Sequence, residues 1–179
     1  MPDKSVIFIG DSITLGLAVA AVANSSVNYG IGSDTTVGVL RRLPVYKSIK
    51  KASAVVIAIG INDMKFRSNE NILSNIQTIG EFFPDDVPVI FSAVLPIDER
   101  VRTDRPGRNI SRIKPLNAAL KKWTETYDNF FYADAGPQLI DESGNLAGRF
   151  HEGDGVHLNS YGNAIWIRVL REVIDIAQQ

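Results

Sequence analysis

The sequence contains no cysteine. This absence excludes thiol catalysis, cysteine-based zinc sites and disulfide bridges. An excess of charge of one sign is also missing, because 19 basic side chains are balanced by 20 acidic ones. We therefore expect neither a nucleic-acid-binding protein nor one held to a membrane by charge. A reducing compartment fits the lack of cysteine, so we expect a cytoplasmic protein.

Long apolar runs are missing too. A membrane-spanning helix needs about 20 consecutive apolar residues, and no run in this sequence approaches that length. The apolar run at residues 6–9 is too short for a signal peptide, and Asp11 follows it closely. With 179 residues, 45% of them hydrophobic, the chain can build a proper core, and we expect one domain over residues 1–179.

Short apolar runs alternate with helical patterns along the whole chain. The runs predict strands at residues 5–9, 27–29, 53–59, 87–95 and 129–133. Apolar spacing of three and four predicts helices over residues 13–23, 72–83, 113–127 and 159–176, with Pro115 either starting or kinking the third. The alternation indicates an α/β fold with a parallel sheet covered on both faces. Functional residues are then expected just after the strands.

The first strand is followed by Gly10-Asp11-Ser12. A serine at a strand-to-helix turn lies beside unpaired backbone N–H groups, so it can act as a nucleophile and also stabilise an oxyanion. The alternative is that Ser12 only caps the helix. Asn62 follows the third run in Gly60-Ile61-Asn62-Asp63 and could donate from its amide, although it could equally be a turn residue. We expect Asp11 and Asp63 to brace these loops.

The second run leads into a glycine-rich block at residues 28–36. It could be a simple turn and helix cap, or a phosphate-binding loop, although it is neither a P-loop nor a complete GxGxxG pattern. A second cluster is the arginine-rich segment 98–112. It contains Arg100, Arg102, Arg105, Arg108 and Arg112. This segment could be a solvated loop or a flap near a substrate pocket.

A catalytic serine needs a base, and the chain has two histidines. His157 follows Asp154 by three residues, so the carboxylate could orient the imidazole and stabilise its protonated form. The glycines at 153 and 155 would permit a sharp turn around Asp154. His151 has no such partner arrangement, and we expect it at the surface.

These four blocks together resemble the SGNH (GDSL) hydrolase superfamily. They are Gly-Asp-Ser, the glycine-rich second block, Gly-x-Asn-Asp and Asp-x-x-His, in the family's order. The second block and the tail at residues 155–162 are most similar to the catalytic subunits of intracellular platelet-activating-factor acetylhydrolase. The resemblance implies a flavodoxin-like three-layer α/β/α sandwich with a five-stranded parallel sheet.

The resemblance also assigns roles to single residues. Ser12, Asp154 and His157 match the catalytic residues, and Ser12, Ser33 and Asn62 match the oxyanion hole. Ser33 stands where the family has a glycine, which puts the backbone angle there in question and makes Gly32 the fallback donor. We expect Asp34 and Met64 to contact the substrate. Phe66 and the segment after Pro96 would complete the pocket walls.

The resemblance implies a serine esterase that acts on small acyl esters, with short-chain or acetyl groups, and needs no metal or cofactor. Its partner would be a small ester substrate, without nucleic acid or membrane insertion, and the protein would be a monomer or a homodimer. Two alternatives remain open. One is a carbohydrate acetylesterase or thioesterase of the same superfamily. The other is a non-catalytic module that binds a small ligand.

Overall fold

The computed structural model describes residues 4–101 and 108–179. Five parallel strands form one sheet in the order β2-β1-β3-β4-β5. The strands are β1 (Ser5–Gly10), β2 (Ser26–Gly30), β3 (Ala52–Ala58), β4 (Val89–Ser92) and β5 (Phe130–Ala133). All five predicted strands are present. This order is the flavodoxin-like one, with β1 and β3 as neighbours at the point where the order reverses.

Helices cover both faces of the sheet. They are α1 (Ser12–Leu15), α2 (Val19–Val22), α3 (Thr36–Arg42), α4 (Asn69–Gly80), α5 (Ile110–Thr124), α6 (Gly136–Leu139) and α7 (Ser160–Ala177). Alternate strand residues point to opposite faces. Ile7, Ile57 and Phe91 pack in one apolar cluster with α3, α4 and α5. Phe8 and Val56 pack in a second cluster with α2 and α7. The fold is therefore the expected three-layer α/β/α sandwich.

The predicted helix over residues 13–23 is divided into α1 and α2. The side-chain amide of Asn28 donates to the backbone carbonyls of Thr14 at 2.7 Å and Leu17 at 3.2 Å. These carbonyls would accept helical bonds if the helix were continuous. The side chain of Asn28, on β2, thus takes the place of backbone N–H donors of a continuous helix. The apolar pattern of residues 13–23 does not reveal this contact.

The strand predicted over residues 87–95 is shorter, because β4 ends at Ser92. Beyond it, the N–H of Val94 donates to Asn117 Oδ1 at 2.9 Å, and Asn117 Nδ2 donates back to the Val94 carbonyl at 2.9 Å. A side chain of α5 therefore satisfies this buried backbone instead of a strand neighbour. Helix α5 begins before Pro115, with Asn109 as its N-cap, and Asn159 caps α7.

The largest fully buried side chain is that of Trp166 on α7. Its indole N–H donates to Ser92 Oγ at 3.1 Å, so α7 is joined to β4 by a buried polar contact. Among the described residues, no helix is both long and apolar enough to cross a bilayer.

Candidate active site

A serine, a histidine and an aspartate form one hydrogen-bonded chain. Ser12 Oγ lies 2.8 Å from His157 Nε2, and His157 Nδ1 lies 2.5 Å from Asp154 Oδ2. Because an ionised carboxylate can only accept, the proton of the neutral imidazole sits on Nδ1 and is donated to Asp154. His157 Nε2 is then the acceptor for the Ser12 hydroxyl. This arrangement allows the imidazole to take the serine proton.

Ser12 is not the cap of its helix. The side chain of Asp11 caps α1 by accepting the N–H of Ile13 at 2.9 Å, and Ser12 is the first helical residue. The alternative reading of Ser12 as an N-cap is therefore wrong. The Ser12 backbone N–H also lies in the first turn of α1, where helical N–H groups have no partner within the helix.

The turn that carries Asp154 is held by its own backbone. Asp154 Oδ1 accepts the N–H groups of Val156 and His157, both at 2.9 Å. Gly155 has φ +74°, and a Cβ there would lie 2.7 Å from the Asp98 carbonyl oxygen. Partial burial would raise the pKa of Asp154. The hydrogen bonds from the His157 ring and from the two N–H groups outweigh burial and hold that pKa well below its ordinary value.

His151 is a correction to the sequence reading, which placed it at the surface. It is only 8% exposed. Its Nδ1 accepts the N–H groups of Gly153 at 2.9 Å and Gly155 at 3.2 Å, and its Nε2 lies 3.6 Å from Asp98 Oδ2. His151 therefore braces the turn on both sides of Asp154. The sequence shows the histidine and the two glycines, but not that the chain folds back over the ring.

Two loops from neighbouring strands meet beside the serine. Gly10 and Gly30 are paired at the ends of β1 and β2, and the Ile31 N–H donates to the Gly10 carbonyl at 3.0 Å. Ser33 follows with φ +62°, in the left-handed region that a glycine adopts without strain. Ser33 therefore has the backbone conformation that is usual for the glycine it replaces. Gly32, the fallback donor, does not have a positive φ.

The amide of Asn62 joins these loops to β3. Its Nδ2 donates to the Asp34 carbonyl at 2.9 Å, and its Oδ1 accepts from Arg108 Nη2. Arg108 Nε also donates to the Ile61 carbonyl at 3.2 Å. The sequence groups Arg108 only with other basic residues, because nothing in the local pattern links position 108 to position 62.

Two buried carboxylates brace the loops, as expected. Asp63 accepts the N–H of Thr36 at 2.9 Å and its hydroxyl at 2.6 Å, which ties the start of α3 to the Asn62 loop. Asp11 is 2% exposed. Burial raises the pKa of Asp11 to about 6, although the hydrogen bond from Ile13 and the charge of Arg108 oppose this rise.

A model of the GDSL-like lipase/acylhydrolase family matches residues 8–165. The chain belongs to this family. The matched range includes the serine, asparagine, aspartate and histidine described above, and membership implies a hydrolase that acts on esters. Among proteins with curated descriptions, none is similar enough to match the sequence.

Several solved structures share the fold of this GDSL-family chain. A lipase/acylhydrolase from Enterococcus faecalis is 23% identical, with 97% of this chain and 96% of that one covered and a TM-score of 0.81. An acetyl-xylooligosaccharide esterase from Geobacillus, in the form of a mutant, is 20% identical, with 97% and 96% covered and a TM-score of 0.73. A Streptococcus pneumoniae protein whose description names platelet activating factor is 23% identical, with 95% and 83% covered and a TM-score of 0.84. At these identities the likeness shows the fold.

The expected pocket walls of the GDSL-family chain need correction. Met64 is 2% exposed and packs in the core with α4, so it does not line an open pocket. The Asp34 carboxylate is turned inward, where it accepts from Arg42 Nε at 2.8 Å and the Thr35 N–H at 2.8 Å. Of the predicted wall residues, Phe66 is open to solvent, at 68% exposed.

The arginine-rich segment is only partly described. Residues 102–107 of the segment, which include Arg102 and Arg105, lie outside the described residues. Arg112 donates to the backbone carbonyls of Met64 at 2.7 Å and Arg67 at 2.6 Å. Arg100 pairs with Asp98. Within residues 4–101 and 108–179, no group of three or more histidine and acidic side chains could hold a metal ion.

Proposed function

We propose that this GDSL-family chain is a serine esterase that hydrolyses esters of short-chain or acetyl groups through an acyl-Ser12 intermediate. The contact of 2.8 Å between Ser12 Oγ and His157 Nε2 carries the proposal. A hydroxyl at its ordinary pKa is a weak nucleophile, and a base in direct contact with it is what activates it.

In the first half of the reaction, Ser12 Oγ attacks the ester carbonyl carbon while its proton passes to His157 Nε2. The carbonyl oxygen becomes an oxyanion. The imidazolium is stabilised by Asp154, whose depressed pKa keeps it ionised. When the oxyanion collapses, the bond to the alcohol oxygen breaks, and His157 returns the proton to that oxygen.

In the second half, water attacks the acyl group on Ser12, and His157 Nε2 accepts a proton from this water. Collapse of the second oxyanion breaks the bond to Ser12 Oγ, which recovers the proton. The carboxylic acid leaves. The backbone N–H groups of Ser12 and Ser33 and the Asn62 amide would hold both oxyanions, and loss of one such donor typically costs about 100–1,000-fold in turnover.

Two cavities that share Val94 in their walls differ greatly in size. The cavity lined by Asp11, Ile13 and Ile61 has a volume of about 20 Å³. That volume holds about one water molecule. A larger apolar cavity of about 340 Å³ lies between α5 and the segment after β5, with Val94 in the wall of both cavities. A long acyl chain would need this second cavity.

Covalent labelling tests the nucleophile. An organophosphonate probe should add its mass to the peptide that contains Ser12 in the wild-type protein and not in Ser12→Ala. Ser111→Ala, which removes an exposed hydroxyl, is the matched control and should label normally. Absence of labelling at any dose would support the non-catalytic ligand-binding module instead.

Substrate preference is tested with p-nitrophenyl esters of increasing acyl length and with acetylated sugars. The proposal expects the highest kcat/KM for acetyl to butyryl esters. Rates that rise steadily to long acyl chains would contradict the short-chain proposal and point to the 340 Å³ cavity. Preference for acetylated sugars over simple acetyl esters would favour the carbohydrate acetylesterase alternative, and faster cleavage of thioesters would favour the thioesterase.

A further inference from the structure

Arg108 makes two contacts with the loop that carries Asn62. Its Nη2 donates to Asn62 Oδ1, and its Nε donates to the carbonyl of the preceding residue, Ile61, at 3.2 Å. The planar guanidinium therefore holds both the side chain and the backbone of the Asn62 loop. A single ammonium group lacks this rigid fork and cannot reproduce the geometry.

These contacts decide which way the amide faces. An amide can turn by 180° about its last bond, which exchanges its oxygen with its N–H2 group. Here a turned amide would place N–H2 against the guanidinium, which only donates, and oxygen against the Asp34 carbonyl, which only accepts. Both hydrogen bonds would be lost, so the observed orientation is fixed from two sides.

We propose that Arg108 is a positioning residue of the oxyanion hole, which keeps the N–H2 group of Asn62 facing the cleft and strengthens it as a donor. This inference rests on the proposed esterase function. A cation at the amide oxygen draws electron density from the nitrogen, so the N–H bonds become better donors, as in other hydrogen-bond chains.

The charge of Arg108 also reaches the nucleophile turn. Of the charges that act on Asp11, the residue before Ser12, Arg108 has the largest effect in lowering the pKa. Arg112, four residues onward, serves differently, because it binds the backbone carbonyls of Met64 and Arg67.

The test is a double-mutant cycle measured on p-nitrophenyl acetate. Arg108→Met should lower kcat by about 10- to 100-fold, part of the loss typical for a whole oxyanion donor, with KM within about twofold. In an Asn62→Ala background the same substitution should lower kcat no further than about twofold, because the residue that it positions is already gone. Arg108→Lys should recover only part of the lost activity.

Two further measurements separate positioning from a general structural effect. Added guanidinium ion, at concentrations that leave the wild type folded, should raise kcat of Arg108→Met and not of Asn62→Ala. Arg100→Met, in the same arginine-rich segment but paired with Asp98, should keep the wild-type kcat. The proposal would be overturned if Arg108→Met lowered kcat by the same factor in the Asn62→Ala background as in the wild type. It would also be overturned if guanidinium did not raise kcat of Arg108→Met.

Failure of the esterase assignment can be told apart from failure of this inference. If the wild type shows no Ser12-dependent hydrolysis, the proposed function fails. The orientation of Asn62 can still be followed by NMR of its side-chain N–H2 signals in protein labelled with ¹⁵N-asparagine. These signals should shift in Arg108→Met and stay in place in Arg100→Met, and unchanged signals in Arg108→Met would refute the positioning role.

Discussion

Removing the charge of Asp11 should change how the stability of the protein depends on pH. Asp11 is buried beside the nucleophile, and its carboxylate caps α1. The variant Asp11→Asn keeps an oxygen that can accept the Ile13 N–H, because asparagine is also a good N-cap. The substitution therefore removes the titration of this side chain while leaving the cap in place.

The expected size follows from the pKa. Burial raises the pKa of Asp11 from its ordinary value of 3.8 to about 6 in the folded protein. Below pH 4 the carboxyl is protonated in both folded and unfolded chains, and its titration has no effect on stability. Between pH 4 and 6 the unfolded chain gives up the proton and the folded chain keeps it, so the wild type loses stability as pH rises. At 1.36 kcal/mol per pKa unit, the loss reaches about 3 kcal/mol above pH 7.

The assay is urea unfolding of wild type and Asp11→Asn between pH 4 and 8. Other titrating groups act in both proteins, so the difference between their free energies of unfolding isolates Asp11. This difference should move in favour of the variant by about 2.5 kcal/mol as pH rises from 4 to 8, because the unfolded chain is already partly ionised at pH 4. The exposed control Asp85→Asn should show a change below about 0.5 kcal/mol. A difference for Asp11→Asn that stays constant with pH would refute the reasoning.

Three other substitutions test separate parts of the structure. Ser33→Gly should stabilise the protein by about 0.5–1 kcal/mol in thermal or urea unfolding, because relief of the left-handed backbone at φ +62° exceeds the entropy cost of glycine. Ser33→Ala keeps the Cβ and should show no gain; equal stabilities of the two variants would contradict the strain. Asp154→Asn should lower kcat by about 10,000-fold in ester hydrolysis, since the amide no longer fixes the His157 tautomer. A loss below tenfold would exclude that role. Gly80→Ala should cost about 1–3 kcal/mol in the same unfolding assay, because its Cβ would lie 2.6 Å from Trp123 Cη2. Unchanged stability would mean that this packing relaxes freely.

The sheet and its helices could be predicted well from the sequence. Continuous apolar strands separated by helices restrict the chain to a parallel sheet with two covered faces, and this pattern is local. Two predicted boundaries were wrong, because side chains from other parts of the chain determine where the helix and the strand end. The side chain of Asn28 interrupts the first predicted helix, and the side chain of Asn117 binds the backbone just after β4. The sequences of the two affected segments contain no sign of either contact.

The candidate site was predictable where its residues come in short motifs at strand ends. Ser12 and Asn62 follow this rule, and the Asp154–His157 pair is a short motif just before a helix. The structure brings the serine, histidine and aspartate into contact. Arg108 and His151 do not follow this rule. Arg108 binds a loop that is distant in the sequence, and His151 accepts backbone N–H groups of its own turn. Neither contact can be inferred from the residue type, because both depend on how the chain folds.

The bond between Ser12 and His157 joins residues 145 positions apart. A chain still emerging from the ribosome carries the serine long before it acquires the base, which follows 145 positions later. Phosphonate labelling of Ser12 therefore reports that the turn after the first strand and the loop before α7 have met. The same probe that tests the chemistry could time this contact in a refolding experiment.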